Sequence, residues 1–129
     1  MSNKDFNWCE KSELVASQFI GTNMAISVSD NYGRIVYVNN IFCEITGYQE
    51  NELLGVVNSL FSLNLQNDEF YKNLWETIKN GFVWCGVLTN KAKSGELFCL
   101  ETTIVPIKNS EGNVESFVSM YKDVSEEKL

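Results

Sequence analysis

The run Leu74-Trp75-Glu76-Thr77-Ile78-Lys79-Asn80-Gly81-Phe82-Val83-Trp84-Cys85-Gly86-Val87-Leu88-Thr89-Asn90 constrains this chain more than any other. It predicts the end of a helix, a glycine stop and then a strand. Along an unbroken strand, Trp84, Leu88 and Asn90 share one face, while Val87 and Thr89 share the other. Two tryptophans and an asparagine therefore straddle one helix–strand junction. A fold that carries them to a common inner surface has the makings of a pocket for a flat ligand. Indole faces stack on planar rings, and an amide offers a donor and an acceptor at once.

The flanking sequence supplies the rest of the pattern. Residues 7–20 carry helix formers with apolar positions at Trp8, Val15 and Phe19, and Gly21 closes them. Ala25–Asp30 alternates apolar and polar residues as a strand does. Asp30-Asn31-Tyr32-Gly33 is turn chemistry, and Arg34–Asn39 completes a hairpin. Asn39 and Asn40 open short helical pieces, anchored by Ile41, Phe42, Ile45 and Leu53 and broken at Gly47 and Gly55. A longer helix runs from about Asp68 to Asn80, with Phe70, Tyr71, Leu74, Trp75 and Ile78 as its apolar stripe. Strands follow over Phe82–Asn90, Glu96–Ile107 and Val114–Val124, and Pro106 suits an edge or a strand end. Strands on both sides of a helical block predict an α+β fold, an antiparallel sheet with helices on one face.

Composition narrows the function. At 129 residues the chain is one domain with one core. The net charge of -7 speaks against nucleic acid and against anionic membrane surfaces. No apolar run approaches the ~20 residues that span a bilayer. Met1-Ser2-Asn3-Lys4-Asp5 shows no basic-then-apolar leader, so a cytoplasmic location is expected. Histidine is absent. That excludes Ser-His-Asp and Cys-His nucleophiles, haem held through histidine, and the usual histidine-containing zinc sites. Cys9, Cys43, Cys85 and Cys99 show no C-x-x-C spacing and read as small buried hydrophobes. Neither a metal site nor an enzymatic role is expected.

Read in order, these pieces resemble a PAS domain. The likeness rests on Asp30-x-x-Gly33-x-Ile35-x-Tyr37-Val38-Asn39 and on Phe42-x-x-x-Thr46-Gly47-Tyr48-x-x-x-Glu52-Leu53-x-Gly55. It continues through Gly81-x-x-Trp84-x-Gly86, Lys93-x-Gly95, Ile104-x-Pro106-Ile107, Gly112 and Asp123-Val124-Ser125. The resemblance implies a PAS fold: a five-stranded antiparallel sheet, short helices on one face and an N-terminal cap helix. It divides the chain into a cap helix over 1–22, a PAS domain over 23–124 and the start of a C-terminal signalling linker over 125–129. Asp123 and Ser125 fall where such domains hand a signal to an output helix.

Leu74-Trp75 through Trp84-x-Gly86-Val87-Leu88-x-Asn90 is similar to the FAD-binding PAS domains of aerotaxis receptors and of the redox regulator of nitrogen fixation. The resemblance makes Trp75 and Asn90 first-choice cofactor contacts, with Trp84 and Asn58 second. Asn58 stands where those relatives vary, and it also reads as a helix cap. Trp75 has a plain alternative as a packing residue on its helix stripe. Asn90 has one as an Asx motif before a turn. The light-sensing flavin branch fits poorly: its reactive cysteine position holds Asn58, within Gly55-Val56-Val57-Asn58-Ser59-Leu60-Phe61.

The expected function is a sensory domain that reads redox or oxygen status through non-covalently bound FAD. Its implied output is a kinase, a cyclic-dinucleotide enzyme or a chemoreceptor domain. Trp8, Val15 and Phe19 fit either a cap on this domain's own sheet or packing against a second copy, and a homodimer is expected. The alternatives are a cofactor-free dimerisation or relay module, and a sensor of a small colourless ligand.

Overall fold

The computed structural model describes residues 24–56 and 68–124. In chain order they form β1 (Ala25–Asp30), β2 (Ile35–Val38), α1 (Asn40–Thr46), α2 (Glu50–Leu53), α3 (Asp68–Lys79), β3 (Trp84–Lys91), β4 (Leu97–Lys108) and β5 (Val114–Asp123). The strands make one five-stranded antiparallel sheet in the order β2-β1-β5-β4-β3. First and last strands lie side by side, and the helices sit on one face, as expected. The cap helix over 1–22, Asn58 and Ser125 lie outside the described residues.

Local chemistry explains the joints. Asp30 Oδ1 accepts from the backbone N–H groups of Tyr32 (2.9 Å) and Arg34 (3.0 Å), which folds the β1–β2 turn. Gly33 completes it at φ +86°, a conformation that favours glycine. Asn39 caps α1 and ties it to the sheet. Its Oδ1 accepts from Phe42 N and Ile26 N, and its Nδ2 donates to the Met24 carbonyl, each at 3.0 Å.

The longer helix ends with Gly81 N–H on the Ile78 carbonyl and Phe82 N–H on the Thr77 carbonyl. The strand after it therefore begins at Trp84 rather than at the expected Phe82. Phe82 commits its N–H to the helix end, and its side chain is exposed. Pro106 lies inside β4, a strand with neighbours on both sides. The β3 ladder stops at Trp84↔Ile104, so Pro106 sits on the stretch paired only with β5, where a missing N–H costs little.

Register sorts the side chains. Ala25, Ser27, Phe117, Ser119, Tyr121, Phe98, Leu100, Thr102, Ile104, Trp84, Leu88 and Asn90 face the helices. On that inner face one cluster joins Ala25, Ile35, Val38, Phe42, Leu53, Phe98, Leu100 and Tyr121. A second joins Leu74, Ile78, Trp84, Leu88, Ile104 and Phe117. The outer face is also buried at Ile26, Val28, Ile107, Val118 and Met120. Each fully buried aliphatic side chain contributes about 1.5–3 kcal/mol.

Candidate functional site

Between the two inner clusters small side chains step diagonally across the sheet: Ser27 of β1 opposite Ser119 of β5, then, offset by two residues, Thr102 of β4 opposite Gly86 of β3. The three hydroxyl residues are buried, and Ser27 Oγ shares a 3.1 Å hydrogen bond with Tyr121 OH. Thr102 Oγ1 donates to the Leu100 carbonyl at 3.1 Å. These positions form a low polar floor between the two apolar clusters. In sequence, Ser27 and Ser29 read as the wet half of an alternating strand. The packed outer face reverses that reading, and only cross-strand register brings Ser27, Ser119 and Thr102 together.

Asn90 closes one end of this surface. It faces inward from β3 opposite Phe98 and is 8% exposed. Its Oδ1 is buried and has no hydrogen-bond partner among the described residues. No local Asx bond forms: the turn after it is closed by backbone bonds between Ala92 and Glu96 and between Gly95 and Ala92. An orphaned buried acceptor costs about 1–3 kcal/mol, so a fold that keeps one invites an explanation. A ligand N–H donor would satisfy it.

Trp84 and Asn90 share a strand face, as the alternation predicts. Trp84 is buried and stands edge-on to Phe70, with ring centroids 5.6 Å apart at 87°. Its indole lies over Gly86, where an added Cβ would be 2.6 Å from Cη2 and 2.8 Å from Cζ2.

Trp75 sits at the other end of the sheet. It is half-buried against Phe117, 6.0 Å away at 85°. A Cβ on Gly33 would lie 2.8 Å from its Cη2, and Lys79 Nζ stands 5.5 Å from its ring centroid. The structure therefore brings Trp84 and Asn90 to one strand face, and Trp75 to the opposite end from Asn90. Asp123 is exposed at the end of β5, paired with Leu100.

The β3–β4 turn beside Asn90 is fastened to the helices. Lys93 donates its backbone N–H to the Thr46 carbonyl at 2.8 Å, and its Nζ meets Glu52 Oε2 at 2.6 Å and stands over the Tyr48 ring. The Lys93 bond, then the Gln49 N–H, hold the Glu52 carboxyl below its ordinary value. Burial, then the nearby Glu50 carboxylate, push the Cys43 thiol up. Cys43 and Cys99 are half-buried and Cys85 is exposed. Among the described residues no group of three or more Cys, Asp or Glu side chains could hold a metal. No helix among them is long and apolar enough to cross a membrane. An open groove of 560 Å³ runs beside α3, lined by Asn73, Glu76, Thr77, Asn80 and Phe82. None of those side chains is buried.

The chain is similar to known proteins in sequence and in fold. The nitrogen fixation regulatory protein of Klebsiella pneumoniae is 33% identical over 103 residues, covering 80% of this chain and 21% of that protein. The aerotaxis receptor of Escherichia coli K12 is 24% identical over 104 residues, covering 81% of this chain and 20% of the receptor. The chain thus spans about a fifth of the length of these curated relatives. A solved light-oxygen-voltage domain, studied with a flavin analogue, superposes with a TM-score of 0.79 at 23% identity over 88% of this chain and 86% of that one, a likeness of fold. The family model described as PAS domain matches residues 23–126, so the chain belongs to the PAS domain family.

Proposed function

We propose that this chain is the sensory domain of a signal-transduction protein, holding FAD non-covalently on its inner sheet face and passing redox or oxygen status to a C-terminal output domain. The orphaned Asn90 Oδ1 carries this reading. It supplies the acceptor that the donor–acceptor edge of a flavin requires. Trp84 and Leu88 provide apolar surface beside it, and Ser27, Ser119 and Thr102 keep the floor low. When bound, a flavin supplies a reversible change of oxidation state and protonation. The names of the relatives, a nitrogen fixation regulator and an aerotaxis receptor, agree with a signalling role of this kind.

A path from Asn90 to the output end is short. Thr89, next to Asn90, pairs with Cys99, and the Cys99 carbonyl accepts the Val124 N–H at 3.1 Å. Leu100 pairs with Asp123. A shift of β3 at Asn90 thus reaches the end of β5 across one strand. The signal arises only if the two ligand states bind Asn90 unequally. We propose a kinase, cyclic-dinucleotide enzyme or chemoreceptor as output, assembly as a homodimer, a cytoplasmic setting, and no catalysis by this domain.

One observation favours a second reading, a ligand-free relay module: Trp75 and Trp84 are both packed against protein. The absorption spectrum of freshly purified protein separates the two. Flavin bands, with FAD released on heating, are expected. Colourless protein that also rejects added FAD would favour the relay.

A further inference from the structure

The centre of the outer sheet face is buried more deeply than the described helices can account for. Val118 of β5 is 0% exposed, Val28 of β1 is 1% and Met120 of β5 is 4%, with Ile26 and Ile107 buried beside them. All five point away from the face that α1, α2 and α3 cover. A sheet face with no layer above it leaves part of each side chain in water, so this burial requires a further layer of chain.

That layer is narrow. On the same face Cys85 and Val87 of the edge strand β3 are exposed, and so is Tyr37 of the opposite edge strand β2. The covered strip is β1, β5 and the Val105–Ile107 end of β4, about 10 Å across at ~4.8 Å between strands. One α-helix with its side chains is also about 10 Å wide.

Three stretches lie outside the described residues. Residues 57–67 join α2 to α3, so both their ends start from the opposite face. Residues 125–129 are too few to roof a strip on three strands. Residues 1–23 lead directly into Met24, which packs against the buried outer cluster. Within them the sequence predicts a helix over 7–20, ~21 Å long, with Trp8, Val15 and Phe19 on one stripe and Gly21 as its stop.

We propose that residues 7–20 lie over the outer face of their own sheet, with Trp8, Val15 and Phe19 against Ile26, Val28, Val118 and Met120. Gly21-Thr22-Asn23 is the tether. A tether this short holds the segment at a roughly millimolar effective concentration, which favours its own sheet over that of a second copy. The segment closes the apolar centre of this face to other partners and leaves Cys85 and Val87 as its open part. The proposal is independent of the flavin reading.

The test follows the thiol introduced by Val118→Cys, a near-isosteric change, in the full 129-residue chain carrying Cys9→Ser. Alkylation at position 118 and at Cys43 of α1 is mapped by mass at high and at low protein concentration, then with Val15→Asp or Phe19→Asp added. Position 118 is expected to react slowly at both concentrations, and either Asp variant to speed it about tenfold or more while Cys43 is unchanged. If an Asp variant speeds Cys43 as well, Val15→Ala and Phe19→Ala give the same comparison without an added charge. Fast reaction at position 118 in the parent chain, or protection that the Val15 and Phe19 variants leave intact, would overturn the proposal. Protection lost on dilution would overturn it in favour of a second copy as the cover.

Discussion

The Trp84 indole lies along its own strand over Gly86, close enough that a Cβ at Gly86 would stand 2.6 Å from Cη2. Gly86 is needed for the space it leaves. Gly86→Ala is therefore expected to overpack the inner face and cost about 1–3 kcal/mol in denaturant unfolding. Trp84→Phe in the same chain should recover part of that loss, a coupling of about 0.5–3 kcal/mol in a double-mutant cycle. Strictly additive costs would show that the ring does not occupy the place described.

The Lys93–Glu52 pair gives the fold a small acid sensitivity. Glu52 ionises more readily in the folded chain because Lys93 and the Gln49 N–H stabilise its charge. Its contribution is fully present above the ordinary carboxylate range and is lost as pH falls through the depressed folded value. Both side chains reach solvent, so the effect is modest and screened by salt. Unfolding curves of wild type and Glu52→Gln should differ at neutral pH and converge in acid. A gap that widens in acid would contradict this account.

Much of the fold was legible because local chemistry and tertiary packing agree. The Asp30 turn, the Asn39 cap and the Leu74/Ile78 stripe each form where their residues predict. Trp84, Leu88 and Asn90 share a buried face, as strand alternation requires. The polar floor was not legible, because Ser27, Ser119 and Thr102 meet only through strand pairings distant in sequence. Nor did spacing reveal that Trp75 and Asn90 stand at opposite ends. Position on a helix or strand fixes a face, and only register fixes distance along the sheet.

Thiol reactivity should follow burial. Cys85 is exposed, whereas Cys43 is half-buried and its thiol is pushed up by burial and by Glu50. The thiolate is the reactive form. In a Cys9→Ser background, mass-mapped alkylation near neutral pH is expected to label Cys85 first and Cys43 much later. Equal rates would contradict the burial described for Cys43.

On the flavin reading, Asn90 Oδ1 is a buried acceptor held for a ligand. Asn90→Leu tests it most directly, with unfolding of the ligand-free chain and FAD titration measured on the same sample. Removing an orphaned acceptor at similar volume should stabilise the ligand-free chain by about 1–2 kcal/mol. FAD affinity should fall tenfold or more, since a buried hydrogen bond is lost. A variant that is less stable without ligand and binds FAD as wild type does would contradict the account.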